Sequence, residues 1–277
     1  MWSIVLGAAA AGLVALHGRR EARRLHLTRV EVPVRRLPEA LDGFEIIHLS
    51  DLHLRHYGPY EQAWLRAVRA LSAPVAVVTG DFAGSAFGAQ ALIPMLMDIS
   101  RERTVLGVLG NNDYDRRVNT DGLVRDLTRA GVRVLRNEAH VVLHKGHRVR
   151  FAGVDDPHTG RADLARALAA LPPPGDAAAE PVIILSHSPD IFPEAKRAGA
   201  DLVLAGHTHG GQICLPGGVP LFANSRTGRR YARGLVVENG TSMYVSRGVG
   251  TSAVPFRFFC PPEIAVIRLV RADAAAG

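Results

Sequence analysis

Five short polar motifs, each directly after an apolar run, hold the side chains of this 277-residue chain that could do chemistry. Asp51-Leu52-His53 follows the run FEIIHL, and Gly80-Asp81 follows Val75 to Val78. Gly110-Asn111-Asn112-Asp113 comes after Thr104 to Leu109, His187 closes Leu185-Ser186-His187, and Gly206-His207-Thr208-His209 comes after Leu202 to Leu204. Carboxylate, amide and imidazole groups are oxygen and nitrogen donors suited to manganese, iron, zinc or nickel, and they do not choose among these metals. A single Asp-x-His triplet or Gly-Asp turn arises by chance and usually lies on a surface. Five such motifs in order, each behind an apolar strand, are not explained that way. In open α/β sheets ligands bind beyond the carboxyl ends of the strands, so all five belong to one site. The glycines fit, since the backbone must turn sharply there. Two divalent ions held roughly 3.5–4 Å apart can share a carboxylate and activate a water.

The elements that must position these motifs alternate from Gly43 onward. Besides the runs above, 132–135, 139–143, 149–154, 182–185 and 264–270 read as strands, while 61–71, 89–99, 121–130, 161–171 and 191–198 read as helices. Asn239-Gly240 between 234–237 and 242–245 is a hairpin signal. Strands alternating with helices predict an α/β domain, and the added hairpins a second sheet packed on the first. The Pro, Ala and Gly stretch 172–179 reads as a surface loop.

The formal charge is +7, which invites a nucleic-acid reading, but seven arginines and two glutamates before residue 37 carry +5 of it. The remaining domain is nearly neutral, which argues against a nuclease and a nucleic-acid partner. Two cysteines, Cys214 and Cys260, do not make a disulfide framework and read as buried thiols. Residues 1–18 have no charged side chain and, as a helix, span roughly 27 Å. The arginines follow that run, which predicts a membrane anchor with the catalytic domain on the cytoplasmic side; an apolar helix packed on the domain and an export signal are the alternatives. Expected boundaries are therefore 1–18 for an anchor helix, 19–42 for a basic linker and 43–277 for the catalytic domain.

From Phe44 onward the chain resembles the calcineurin-like metallophosphoesterases. The matching pattern is Asp-x-His, Gly-Asp, Gly-Asn-x-Asp, a lone His and Gly-His-x-His. Residues 206–213 (GHTHGGQI), 246–250 (SRGVG), Pro255 to Phe258 and Cys260-Pro261-Pro262-Glu263 are similar to a bacterial, membrane-associated branch. The resemblance implies a four-layer α/β/β/α sandwich of two mixed sheets flanked by helices. It implies one metal on Asp51, His53 and His209, a second on Asn111, His187 and His207, and Asp81 bridging the two. It also implies in-line attack by a metal-bridging hydroxide on phosphorus. Asn112 departs from the family, which usually has His there to protonate the leaving group; an Asn amide supplies no proton near neutral pH. With Asp81, it is one of the two expected catalytic residues.

The absence of an acid points to substrates with good leaving groups, such as pyrophosphates or activated diesters. The branch resembles enzymes that cleave UDP-2,3-diacylglucosamine, so a lipid or nucleotide-linked lipid is the expected substrate. A broad or cyclic-nucleotide phosphodiesterase is the alternative, and a catalytically weak metal-binding interaction module is a rival of another class. Asp113 reads as a turn residue without its usual partner. His56, Tyr57, Asp155, Asp156 and His158 read as loop polarity, and Arg247 as either a phosphate contact or a structural arginine.

Overall fold

Runs of consecutive apolar residues form strands buried on both faces, and the central strands of this chain are of that kind. The computed structural model of the protein describes residues 2–174 and 180–272; Met1 of the expected anchor and 175–179 of the expected loop lie outside the described residues. Six strands form the first sheet: β1 (His26–Val34), β2 (Glu45–Leu49), β3 (Val75–Thr79), β4 (Thr104–Val108), β5 (Val132–Val134) and β14 (Glu263–Arg271). Their order is β1-β14-β2-β3-β4-β5, and only the β14–β2 pairing is antiparallel. The second sheet contains β6 (Glu138–His144), β7 (His147–Gly153), β8 (Val182–Leu185), β9 (Leu202–Ala205), β12 (Gly234–Glu238) and β13 (Thr241–Val245). It runs β12-β13-β9-β8-β7-β6, with antiparallel hairpins at both edges of a parallel centre. A two-residue ribbon pairs β10 (Cys214–Leu215) with β11 (Val219–Pro220).

Alternation along each strand assigns the layers. Val75, Val77, Ile183, Leu185, Leu202 and Leu204 meet between the two sheets. The intervening Ala76 and Val78 face outward, under α2 (Pro59–Arg69), α3 (Ala86–Ser100) and α4 (Thr120–Arg129), against Trp64, Leu92 and Leu127. On the other side Ile184 and Val203 pack beneath α5 (Leu164–Ala169) and α6 (Phe192–Arg197), with Phe192. The result is the expected four-layer sandwich of two mixed sheets between helices.

The N-terminal region differs from the sequence expectation. Helix α1 spans Trp2–Glu21, and its end is seated on the domain: the Gly18 carbonyl accepts from Arg257 N at 3.0 Å, and Glu21 Oε1 accepts from Cys260 N at 2.7 Å. Among the described residues no helix is long and apolar enough to cross a membrane. Residues 26–34, expected within a linker, form β1 and pair with β14 over nine registers. The strand escaped notice because its edge position lets Arg29 and Glu31 alternate with inward valines, and an arginine-rich segment reads as solvated.

Removing residues 1–36 therefore strips Val32 and Val34, both 0% exposed, and uncovers one side of β14. A buried valine contributes ~1.5–3 kcal/mol, and each kcal/mol moves the melting temperature of a chain of this order by ~2–4 °C. The truncated chain should melt about 10 °C or more below the full chain in a calorimetric scan. Equal melting temperatures would show that β1 adds nothing to the domain.

Candidate metal centre

All five motifs leave the carboxyl ends of β2, β3, β4, β8 and β9 on the same side of the sandwich, and the structure brings their side chains into contact. Asp51 is 0% exposed. Its Oδ2 accepts from Ser50 Oγ at 2.6 Å and from His207 N at 3.0 Å, while its Oδ1 lies 3.3 Å from His209 Nε2. Asp81 Oδ2 lies 3.3 Å from His53 Nε2 and 3.5 Å from His187 Nε2, so that one oxygen faces both halves of the cluster. His53 and His209 approach at 3.1 Å through their Nε2 atoms, His207 Nδ1 lies 3.1 Å from His187 Nε2, and Asn111 Oδ1 is 3.2 Å from the same nitrogen. Ligand-type atoms of Asp51, His53 and His209, and of Asp51, Asp81 and His187, each fall within 4.8 Å of one another. Asp51 is common to both groups.

Local backbone geometry is unusual where these residues sit. Asp51, His53, Asp81, His207 and His209 all have positive φ, five of the eleven non-glycine residues that do so among those described. Left-handed backbone costs a β-carbon-bearing residue roughly 1–2 kcal/mol, and such strain gathers at functional sites. Two glycines allow the close approach. A β-carbon on Gly206 would lie 1.8 Å from Ser50 Oγ, and one on Gly80, at φ +84°, would lie 2.5 Å from His187 Nδ1.

Electrostatics give the cluster its character. Burial disfavours a charged His187, but Asp81 and then Asp51 outweigh it and raise its pKa to about 10. Its Nδ1 donates to the Thr79 carbonyl at 2.8 Å, which leaves Nε2 facing the cluster. Burial lowers the pKa of His53, takes His207 down to about 3 with help from His187, and takes His209 well below its usual range. These three stay neutral, the form in which imidazole binds a metal. Burial raises the Asp51 pKa, whereas the neighbouring histidines and Asn112 hold Asp81 well below the carboxylate range in spite of its burial.

Whether the donor set fits a cation can be tested on its orphaned atoms. Asp51 Oδ1 and His207 Nε2 are buried without a hydrogen-bond partner. A buried polar atom left unpaired is costly, and here both atoms belong to ligand-type residues of the cluster. The residues present fit a pair of divalent ions.

Two supporting groups were missed or misread from sequence. Asp113, read as a turn residue, is 1% exposed and accepts from Asp81 N at 2.9 Å, Phe82 N at 3.0 Å and Gly110 N at 2.9 Å. It ties the β3 and β4 motif loops together, and burial followed by repulsion from Asp81 raises its pKa to about 7. Arg257 is fully buried and donates to the carbonyls of His209, Arg247, Gly248, Gly250 and Cys260 at 2.6–3.3 Å. The Pro255 to Phe258 motif contained it without revealing that role. Arg247 is structural: its Nε donates to buried Glu263 at 2.8 Å. His158 is no loop bystander, since its ring stands 4.5 Å from that of His207. Asp155 accepts from Tyr114 Oη at 2.6 Å, and Asp156 accepts from Thr159 N at 2.7 Å. Cys214 and Cys260 are free and buried, both against the Gly210 carbonyl at 3.3 and 3.4 Å.

Comparison with known proteins agrees with this architecture. The calcineurin-like phosphoesterase family model matches residues 44–211. The uncharacterized metallophosphoesterase YkuE of Bacillus subtilis is 31% identical, over 96% of this chain and 94% of its own. The phosphodiesterase YaeI of Escherichia coli is 29% identical over 82% of both chains. The UDP-2,3-diacylglucosamine pyrophosphatase LpxG of Chlamydia trachomatis is 29% identical over 90% of both. The chain belongs to the calcineurin-like metallophosphoesterases, and its class of activity is phosphoester hydrolysis.

Asp113→Ala would leave three buried amides without an acceptor, each costing about 1–3 kcal/mol. The variant should melt about 10 °C lower and bind less manganese by elemental analysis, although Asp113 faces none of the ligand-type atoms. Unchanged melting and metal content would remove its positioning role. Asp113→Asn keeps one acceptor and should fall between the two.

Proposed function

We propose that this chain is a binuclear metal-dependent phosphoesterase that cleaves a pyrophosphate or phosphodiester bond in a lipid or nucleotide-linked lipid, with UDP-2,3-diacylglucosamine as the first candidate. The observation that carries the metal centre is the pair of orphaned ligand atoms, Asp51 Oδ1 and His207 Nε2, inside a cluster of two carboxylates and four imidazoles. In this reading Asp51, His53 and His209 would hold one cation, Asn111, His187 and His207 would hold the other, and Asp81 would serve both. When bound, two such ions supply a nucleophilic hydroxide near neutral pH and neutralise charge on the phosphoryl oxygens.

The chain's own residues set the rest. Asn112 donates twice to Asp81, from its backbone N at 2.9 Å and from Nδ2 at 2.7 Å, so its amide orients that carboxylate. No proton is available from it for a leaving group. A cavity of about 1020 Å³ opens beside His53 and Asn112, with Arg55 and Arg117 in its wall and Ile93, Val118 and Leu123 along an apolar stretch. That volume is at the upper end for small-molecule sites. Asp115, which pairs with Arg117 at 2.8 Å, and Asp126 line the cavity as well, so Arg55 and the apolar stretch are the features that suit a substrate with both a phosphate and a hydrocarbon or nucleoside arm. The similarity to LpxG, a UDP-2,3-diacylglucosamine pyrophosphatase, supports the same substrate class.

Turnover of an activated aryl phosphodiester with added manganese tests the enzymatic reading against a binding module. Asp81→Asn should abolish that turnover and lower the occupancy of both ions; retained activity with two bound ions would remove Asp81 from its bridging role.

The role of Asn112 has its own test. Rate should fall steeply as leaving-group pKa rises, so that nitrophenolate or a nucleotide is expelled well and a simple alcohol poorly. Asn112→His should flatten that slope, by ~10²–10⁴-fold for alkyl esters, once metal content is matched. Parallel slopes for the two proteins would show that another group donates the proton.

A further inference from the structure

The mouth of the site is bordered by two loops whose exposed side chains are apolar. One is the ribbon after the His207 and His209 motif, where Leu215 is 49% exposed, Val219 49%, Leu221 42% and Phe222 79%. The other precedes Cys260 and exposes Val254 (41%) and Phe259 (47%). Gln212 joins the two loops, donating from Nε2 to the carbonyls of Ser252 and Val254 and accepting from Ser252 N; Cys214 N donates to the Phe258 carbonyl. Ser252 and Ala253 also line the cavity that His53 and Asn112 share. The apolar rim is thus continuous with the entrance to the site. Helix α1 ends on the same loops, with Gly18 against the Phe258 ring and Arg19 over the Phe256 ring, and the helix exposes Leu13 and Leu16.

Charge follows the same face. Between Asp201 and Glu263 the chain has six arginines and one acid, Glu238. Arg247 and Arg257 are used inside the loops and Arg230 pairs with Glu238 at 2.7 Å, whereas Arg229 donates to the Pro220 carbonyl at 3.4 Å and the Arg233 guanidinium lies against Gly218, which puts both on the ribbon. Averaging charge over the whole domain conceals this concentration. A patch of exposed apolar side chains marks an interaction surface, and apolar tips flanked by arginines match an interface of hydrocarbon beneath anionic headgroups.

We propose that this rim is a bilayer-contact surface: Phe222 and Leu221 enter the acyl region of an anionic membrane, the neighbouring arginines meet its phosphates, and α1 lies alongside. The site then opens toward the lipid surface. This goes beyond an N-terminal anchor, because it gives the catalytic domain its own contact with the membrane and sets its orientation. It does not depend on which phosphoester is cleaved.

The full chain carrying Phe222→Cys, labelled with the environment-sensitive fluorophore NBD, reports the contact directly; Cys214 and Cys260 are buried and do not compete for label. Leu143→Cys is the reference, since Leu143 is 70% exposed on β6 at the opposite end of the sheets from the site. On vesicles of phosphatidylcholine and phosphatidylglycerol in equal parts, the label at 222 should shift to the blue and gain intensity, and the label at 143 should not. Phosphatidylcholine alone should require several-fold more lipid, as should high salt. The double variant Leu221→Ser with Phe222→Ser should hydrolyse a water-soluble aryl phosphodiester as the parent does, a check that the fold and site are intact. An unchanged spectrum at 222 overturns the proposal, as does an equal change at 143. A change that grows with protein concentration without vesicles also overturns it and assigns the rim to self-association. Because binding is read without substrate, a wrong substrate leaves this result untouched.

Discussion

Two carboxylates, Asp51 and Asp81, are buried side by side at 0% and 2% exposure, and the rest of the site is arranged around that cost. Like charges withdrawn from water destabilise a fold unless something of opposite sign is held with them. The fold itself supplies two partial remedies. His187 Nε2 stands 3.5 Å from Asp81 Oδ2, and backbone or hydroxyl donors from Ser50, His207 and Asn112 point at the carboxylate oxygens. Neither remedy gives Asp51 Oδ1 a hydrogen-bond partner. A pair of divalent ions is the completion that the proposed function assigns to this arrangement.

The same constraint explains the backbone. Side chains from five separate loops can converge only if those loops turn inward immediately after their strands, and left-handed conformations at Asp51, His53, Asp81, His207 and His209 do that. At roughly 1–2 kcal/mol each, such turns persist only on a rigid support. The layers of apolar strands provide it from below. Asp113 and Arg257 provide it locally, one gathering three amides and the other five carbonyls. These two residues are complementary devices: a buried acceptor beneath one pair of loops and a buried donor beneath the other.

The central strands and the helices over them were legible because each carries a pattern that survives without tertiary context: unbroken apolar runs such as Val75 to Val78, or apolar residues at helical spacing such as Val68 and Leu71. The polar motifs were legible because strand ends in an α/β sheet lie on one side. β1 was not, since an edge strand with one polar face resembles a solvated segment. Asp113 and Arg257 were not, since their roles depend on where distant backbone groups arrive. His158 reaches His207 only through the packing of the β7 loop against the β9 loop. The cationic rim was hidden for a different reason, namely that net charge summed over a domain says nothing about which surface it occupies.

The order β1-β14-β2 in the first sheet has a consequence for how the chain is made. The strand from Glu263 to Arg271 lies between two strands that are synthesised more than two hundred residues earlier. Until it leaves the ribosome, β1 has no partner and β2 has an open edge. Contacts of such sequence separation form slowly, and unpaired strand edges invite association with other chains. During that interval Glu263 is also absent, and with it the residue that holds Arg247 and the loop over the site. The loop that carries Arg247 therefore gains its anchor only when this last strand arrives, which also ends the vulnerable period of the open edge.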